Sequence, residues 1–334
     1  GGSINKMLAI LLLPLFTAYL SPTDYGVVAM LSLITTFLTP LFSLGVGCSI
    51  LPLFYEKNDS HYVAELIWTA ILIAFLGGII GVSCVILGRE SVSSMLFGKT
   101  DYGRLCAIAC GTAALHAVTD PVLLMLQLQS KAKMYVLMTI VTTIVTLLGS
   151  VYLVVSLGRG AAGMIEAQFL SKAVLLVLSM VLVATSLKPR FGMRVGRRLI
   201  QIGAPFIPTG VLAFLLLNEN RYILQWKFGL DEVGIYSVGF NLGMGICLFT
   251  QAFSSAWNPL FMSYAKREEA ESKAFLARAT RWYLVGMGSL TVFFFTMAKP
   301  VVVVMADPAF VQSYQAVGLV AGSQFFRGLF YVII

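Results

Sequence analysis

The chain has 334 residues, of which 58% are hydrophobic and only 11% are charged, and its formal net charge is +8. Soluble domains carry about 25% charged residues, so this composition excludes an ordinary soluble enzyme or binding module. Apolar windows of roughly 20 residues, long enough to cross the hydrocarbon core of a bilayer, recur along the chain. The sequence therefore predicts an all-α polytopic membrane protein.

Ten membrane spans are predicted, because no segment alternates strictly between apolar and polar residues as a membrane barrel strand would. In chain order they cover 4–20, 26–50, 62–87, 105–127, 135–156, 161–187, 201–225, 233–260, 281–304 and 313–334. The chain begins with Gly1-Gly2-Ser3 beside an apolar run and ends inside another. We therefore expect a fragment of a longer protein.

The orientation follows from the basic residues of the loops. With the start of the first span in the cytoplasm, the inner loops hold thirteen lysines and arginines and the outer loops six. Cytoplasmic loops carry such an excess, which places the loop at 188–198 inside and the loop at 88–104 outside. The basic stretches are then expected to face anionic lipid, and no nucleic-acid partner is predicted.

Signals for enzyme chemistry are weak. The five cysteines lie in apolar segments without a CxxC pair, and the two histidines, His61 and His116, lack metal-ligand spacing. No outer loop is longer than about fifteen residues, which leaves little room for a catalytic domain outside the membrane. The sequence predicts a protein that is not an enzyme and holds no metal or cofactor.

A short phrase occurs twice, 208 residues apart. Asp24-Tyr25-Gly26 aligns with Glu232-Val233-Gly234, and Pro-Leu-Phe follows each copy at 52–54 and 259–261. The copies are six spans apart, an even number, so both have the same orientation in the membrane. Parallel repeats of this kind occur in secondary transporters. We predict two parallel six-helix lobes, 1–190 and 198–334, the second incomplete with about four helices.

Four cations are predicted at membrane depth, where ionisable groups are costly and usually functional. They are Lys6, Lys172, Arg221 and Arg327. Cations at several depths suit an anionic group that moves through a central cavity. The alternative for Lys6 and Arg221 is that their side chains reach to the nearby membrane surfaces.

Three acids lie at similar depth: Asp120, Glu166 and Glu219. They are the candidate sites for a coupling proton or Na⁺, but the sequence favours the alternative, in which each is a local partner of a neighbouring cation. Asp120-Pro121 predicts a break in the fourth span. The seventh span, with Pro205 and Pro208, is predicted to be interrupted, as helices at transporter sites often are.

Two stretches resemble a known family. "INKMLAILLLPLFTAYLSPTDYGVVAML" resembles the first two helices of bacterial polysaccharide-biosynthesis flippases of the O-antigen repeat-unit type, which belong to the multidrug/oligosaccharidyl-lipid/polysaccharide exporter superfamily. "PFIPTGVLAFLLLNENRYILQWKFGLDEVGIYSVGF", followed by "FSSAWNPLF", is similar to the family's seventh and eighth helices. Members commonly have Asp-Arg where this chain has Asn220-Arg221, so the cation is kept without its acidic neighbour.

The resemblance implies a flippase of the inner (cytoplasmic) membrane for oligosaccharides linked to undecaprenyl pyrophosphate, such as O-antigen units for lipopolysaccharide. It would work by alternating access, with membrane lipids and other polysaccharide-assembly proteins as partners. Two alternatives stay open. A cation-coupled multidrug exporter would share the fold but favour acidic cavity groups, and an integral-membrane polymerase or glycosyltransferase would need catalytic groups in a long outer loop.

Overall fold

A computed structural model describes residues 12–56, 59–265 and 270–333 of the chain. This part is almost entirely α-helical. The helices are α1 Leu13–Tyr19, α2 Pro22–Phe42, α3 Val46–Glu56, α4 Ser60–Leu87, α5 Arg89–Phe97, α6 Gly103–Leu128, α7 Ala132–Val151, α8 Gly160–Ser186, α9 Met193–Gly203, α10 Phe206–Phe228, α11 Leu230–Gly243, α12 Ile246–Ala265, α13 Ala270–Met305 and α14 Tyr314–Ile333. A π-helical turn, Tyr152–Ser156, extends α7, and a 3₁₀ turn, Pro308–Ser313, precedes α14.

Six of these helices are long and apolar enough to cross a membrane, and the number rises to eight if two bent pairs each form one span. The bent pairs are α9 with α10 and α11 with α12, each with an angle of 41°. The prediction of an all-α polytopic membrane protein is confirmed. Of the ten predicted spans, the first, 4–20, lies partly outside the described residues, and the last, 313–334, is not among the six to eight.

The described residues form two compact units, Val27–Gly229 on the one hand and those up to Gly26 with those from Leu230 onwards on the other. In the first unit α4 and α8 both pack against α6, around buried residues such as Leu66, Ile67 and Met125. In the second unit α11, α13 and α14 enclose Phe310. The boundaries of these units differ from those of the two lobes predicted from the repeat, 1–190 and 198–334. The lobes stay a prediction.

The predicted second span is divided between α2 and α3. The chain turns at Leu44 and Gly45, which both have positive φ angles, 49° and 71°. Gly45 lies against the backbone of Gly203, the last residue of α9, so a Cβ atom on Gly203 would be only 2.7 Å from the Gly45 carbonyl carbon. The helix breaks here because two backbones touch, a contact that only small residues permit.

The predicted break at Asp120-Pro121 is wrong, because α6 continues through Pro121. Pro121 has no N–H for the carbonyl oxygen of Ala117, but membrane helices tolerate proline when neighbouring helices support them. The contacts of α6 with α4 and α8 supply that support. By contrast, the predicted interruption of the seventh span is confirmed, since α9 and α10 meet at a bend beside Pro205.

The repeated phrase marks a contact between two helices. Near the start of α2, a Cβ atom on Gly26 would meet the carbonyl oxygen of Leu230, and a Cβ atom on Gly234 in α11 would meet the carbonyl oxygen of Pro22. Leu230 is 208 residues after Pro22, and Gly234 is 208 residues after Gly26. The two copies therefore contact each other in a nearly symmetric way.

A hydrogen bond follows the same spacing of 208 residues. The Thr23 hydroxyl donates to the Asp231 carboxylate, at the first turns of α2 and α11. The sequence repeat thus has a direct counterpart in the packing of the second unit.

Contacts within the first unit group its loops at two ends. At one end Arg198 pairs with Glu56 at 2.9 Å, and the Trp68 Nε1–H donates to the carbonyl oxygen of Leu187 at 3.3 Å. At the other end Arg104 pairs with Glu166 at 3.3 Å. The loop at 188–198 therefore lies opposite the loop at 88–104, as the predicted orientation requires.

Cysteine labelling tests which end is outside. In a background without the five native cysteines, Thr100→Cys should react with a membrane-impermeant maleimide in intact cells, and Pro189→Cys should react only after the cells are opened. Both positions are exposed, so burial does not protect either of them. The reverse labelling pattern would contradict the orientation.

Candidate functional site

Three ionisable side chains come together near the middle of two packed helices of the first unit. His116 and Asp120 lie one turn apart on α6, with 3.3 Å between His116 Nε2 and Asp120 Oδ1. Lys172 lies near the middle of the adjacent α8, and its ammonium group acts electrostatically on both of them. We call His116, Asp120 and Lys172 the central cluster.

The central cluster is packed among protein atoms yet partly accessible. The side chains of His116 and Asp120 are 34% and 42% exposed, although their neighbours Ala117 and Thr119 are buried. Ionisable groups at the depth of the bilayer centre almost always face a water-filled cavity or one another, because contact with lipid is too costly. We therefore expect the accessible part of the central cluster to face water and not lipid.

Glu166, a predicted site for a coupling ion, has a different environment. It is only 17% exposed, and its carboxylate binds the guanidinium groups of Arg104 and Arg159 at the end of the first unit. This arrangement matches the alternative in which Glu166 is a local partner of neighbouring cations. It joins the starts of α6 and α8 through charge-assisted hydrogen bonds.

Arg221 and Glu219 lie on α10, whose residues are all at least partly accessible. Arg221 is half-buried and Glu219 is exposed. Asn218, beside them, donates its side-chain N–H to the carbonyl oxygen of Phe214 at 2.9 Å, so the polar run does not interrupt α10 itself. Most of the accessible surface of α10 is apolar, including Leu212, Leu216 and Leu217, so Arg221 and Glu219 form a short polar stretch on an otherwise apolar helix.

The remaining predicted cations lie elsewhere. Arg327 is on α14 in the second unit, where its side chain is exposed, and Lys6 lies outside the described residues. Of the seven predicted site residues, the structure thus brings Asp120 and Lys172 together.

Sequence reasoning missed His116, although its spacing of four residues from Asp120 places both on one helix face. Within the described ranges, no group of three or more histidine, cysteine or acidic side chains could hold a metal ion. The central cluster holds one acid, one imidazole and one ammonium group.

Comparison with known families identifies the chain. The profile of the family described as "Polysaccharide biosynthesis protein" matches residues 16–313. The chain belongs to this family. The match extends through both compact units and includes every member of the central cluster. Among curated proteins, none matches the chain.

A solved structure shares the fold of this polysaccharide biosynthesis family member. It is described as the inward-facing conformation of a multidrug resistance MATE family transporter of the MOP superfamily. The TM-score is 0.71 at 12% identity, over 99% of this chain and 86% of the other. The similarity confirms the exporter-superfamily fold, and at this identity it extends to nothing else.

Proposed function

We propose that this membrane protein is a flippase that moves oligosaccharides linked to undecaprenyl pyrophosphate across the cytoplasmic membrane by alternating access. The observation that carries the proposal is the match to a polysaccharide-biosynthesis family on a fold shared with a transporter. A polar oligosaccharide cannot cross lipid unaided, so it needs a hydrated path, and ionisable groups at membrane depth such as the central cluster are expected to line one. The protein moves its substrate and makes no covalent change to it.

The four cations predicted at membrane depth supply the positive electrostatic potential that attracts the pyrophosphate. Lys172 at mid-depth, Arg221 on α10, Arg327 on α14 and Lys6 would each contribute one modest interaction. Arginine binds phosphate through two parallel hydrogen bonds, whereas lysine acts as a mobile point charge. Several modest sites at different depths suit transport better than one strong site, because the substrate must also leave.

A proton or Na⁺ gradient would drive the cycle through one of the acids. Glu166 is engaged by two arginines, which leaves Asp120 in the central cluster and Glu219 on α10 as the stronger candidates. Lipid-linked O-antigen units, membrane lipids and other polysaccharide-assembly proteins of the inner membrane are the proposed partners.

Neutralising Arg221 tests the cationic path. Arg221→Gln should reduce surface polysaccharide about tenfold or more and cause lipid-linked oligosaccharide to accumulate, because a charge-assisted contact with the pyrophosphate is lost. Arg221→Lys should keep part of the activity, since it keeps the charge without the two parallel hydrogen bonds. Surface polysaccharide and the lipid-linked intermediate are measured in cells with matched protein levels.

Lys227→Gln is the matched control, because Lys227 is an exposed cation in the last turn of the same helix. It should have little effect. Normal surface polysaccharide with Arg221→Gln would remove Arg221 from the path, and normal polysaccharide after deletion of the gene would overturn the proposed function.

A multidrug exporter is the second candidate, because the similar solved structure is described as a multidrug resistance transporter. An exporter of cationic drugs should raise resistance to them when overproduced. The flippase should instead change the amount of surface polysaccharide and leave drug resistance unchanged. The two measurements in one strain separate the candidates.

A further inference from the structure

The central cluster combines an acid, a base and a cation at one depth. The Asp120 carboxylate lies beside the His116 imidazole, and the Lys172 ammonium on the neighbouring helix lies within electrostatic range of both. Within the described residues Lys172 makes no ion pair shorter than 4.0 Å, so its charge is not fixed to one partner. The net charge of this site therefore changes by one unit when Asp120 gains or loses a proton.

No other charged group in the described part of the chain acts strongly on Asp120 or His116. The helices packed against α6 carry titratable groups, but Lys172 is the charged group that acts on these two side chains. These other groups are Cys48, Tyr55 and Glu56 on α3, His61, Tyr62, Glu65 and Cys84 on α4, Arg89 and Glu90 on α5, Lys133 and Tyr135 on α7, and Glu166 on α8. The proton on Asp120 and the charge on Lys172 are thus coupled mainly to each other.

We propose that the central cluster is a proton-controlled anion site, in which protonation of Asp120 makes the Lys172 charge available to a phosphate group of the substrate. With Asp120 ionised, its negative charge offsets that of Lys172 and an anion is bound weakly. With Asp120 protonated, the cluster has one net positive charge and binds the anion more strongly. This inference rests on the proposed function, since it takes the pyrophosphate of the lipid carrier as the anion.

His116 is a positioning residue in this scheme. When Asp120 is ionised, the imidazole N–H can donate to the carboxylate, and when Asp120 is protonated, the carboxylic acid can donate to the other tautomer of the imidazole. The contact of 3.3 Å between Nε2 and Oδ1 is within reach of either bond. His116 therefore keeps Asp120 in place in both protonation states.

The sign of the coupling is fixed by electrostatics. A proton adds positive charge near a bound anion, so the proton and the anion each strengthen the binding of the other, and the effect is reciprocal. The central cluster cannot exchange a proton for an anionic head group by charge alone. It limits the net charge of the loaded site, which reduces the cost of placing a pyrophosphate in a low-dielectric cavity.

The test measures the affinity of the purified protein for farnesyl pyrophosphate, a short isoprenyl pyrophosphate, at pH 6 and pH 8. We expect the wild-type protein to bind at least about fivefold more weakly at pH 8, the lower limit of typical coupling between two sites. Asp120→Asn, which resembles the protonated acid in shape and charge, should bind at pH 8 nearly as strongly as at pH 6. The probe changes its own charge between these pH values, so the difference between the two proteins tests the proposal, and the pH dependence of either protein alone does not.

Further variants test each member of the central cluster. Asp120→Ser replaces Asp120→Asn if the latter does not fold, and Lys172→Gln should weaken binding at both pH values. His116→Gln should reduce the pH dependence but keep binding at pH 6. Equal pH dependence in the wild type and the Asp120 variants would overturn the proton-controlled site alone. Absence of farnesyl pyrophosphate binding by the wild type at either pH would overturn the proposed substrate class as well.

Discussion

Replacing Gly45 with alanine should lower the thermal unfolding midpoint of the purified protein by about 5–10 °C. Two effects add up. Gly45 has a φ of 71°, where a residue with a Cβ atom is strained by roughly 1–2 kcal/mol. The added Cβ atom would also lie only 2.8 Å from the carbonyl carbon of Gly203, so α3 and α9 would have to move apart. The midpoint is measured on detergent-solubilised protein by the loss of its monodisperse elution peak.

Gly47 provides a control two residues away. It lies inside α3 with open space around it, so a Cβ atom there meets nothing within 4 Å. Alanine is a better helix former than glycine by up to about 1 kcal/mol, and Gly47→Ala should leave the midpoint unchanged or raise it slightly. Two alanine variants with the same midpoint would show that the backbones of Gly45 and Gly203 do not touch in the native protein.

The helices could be predicted from sequence because hydropathy is a local property. Long apolar runs predicted α4, α6, α7 and α8 within a few residues of their observed ends. The break at Leu44-Gly45 was missed because the run at 26–50 is apolar throughout. Its cause is a contact with Gly203, far along the chain, and a local pattern cannot show which glycine requires close approach.

The candidate site was predictable in part for the same reason. The depth of Asp120 and Lys172 follows from their distance to the span ends, but the faces of α6 and α8 that meet depend on packing. His116 was passed over because it matched no metal-ligand spacing, although its position relative to Asp120 was visible. The two arginine partners of Glu166 lie at the start of α6 and just before α8, and only the folded chain brings Arg104 to Glu166.

The repeat at 208 residues was predicted from three aligned residues and a Pro-Leu-Phe after each copy, and the contact behind it became visible only in the structure. Glycine recurs at Gly26 and Gly234 because each lies against the backbone of the other copy. Neither glycine could be replaced without pushing α2 and α11 apart. The repeat could be seen in the sequence, but the helix contact that requires glycine at both positions could not.

Cross-linking Thr23→Cys to Asp231→Cys should stop transport. The native side chains are hydrogen-bonded to each other at the starts of α2 and α11, so a short bis-methanethiosulfonate reagent can bridge two cysteines there. If the predicted lobes 1–190 and 198–334 move as bodies during alternating access, these two helix starts must separate in each cycle. The readout is the movement of a fluorescent lipid-linked oligosaccharide across reconstituted vesicles, in a background without the native cysteines.

Lys299→Cys with Tyr314→Cys is the control pair. The Lys299 ammonium lies 5.9 Å from the centre of the Tyr314 ring, so the same reagent should join α13 to α14. Both residues fall within one predicted lobe and one compact unit, and their cross-link should leave transport intact. Dithiothreitol cleaves the reagent and should restore transport to the Thr23–Asp231 protein.

The experiment also distinguishes the two ways of dividing the chain. Thr23 and Asp231 belong to different lobes in the division predicted from the repeat, but to the same compact unit in the structure. We expect separation, because alternating access requires the lobes 1–190 and 198–334 to move relative to each other and Thr23 and Asp231 lie in different lobes. Full transport by a protein that is cross-linked to completion would mean that α2 and α11 stay together, and that the moving bodies are the two compact units instead.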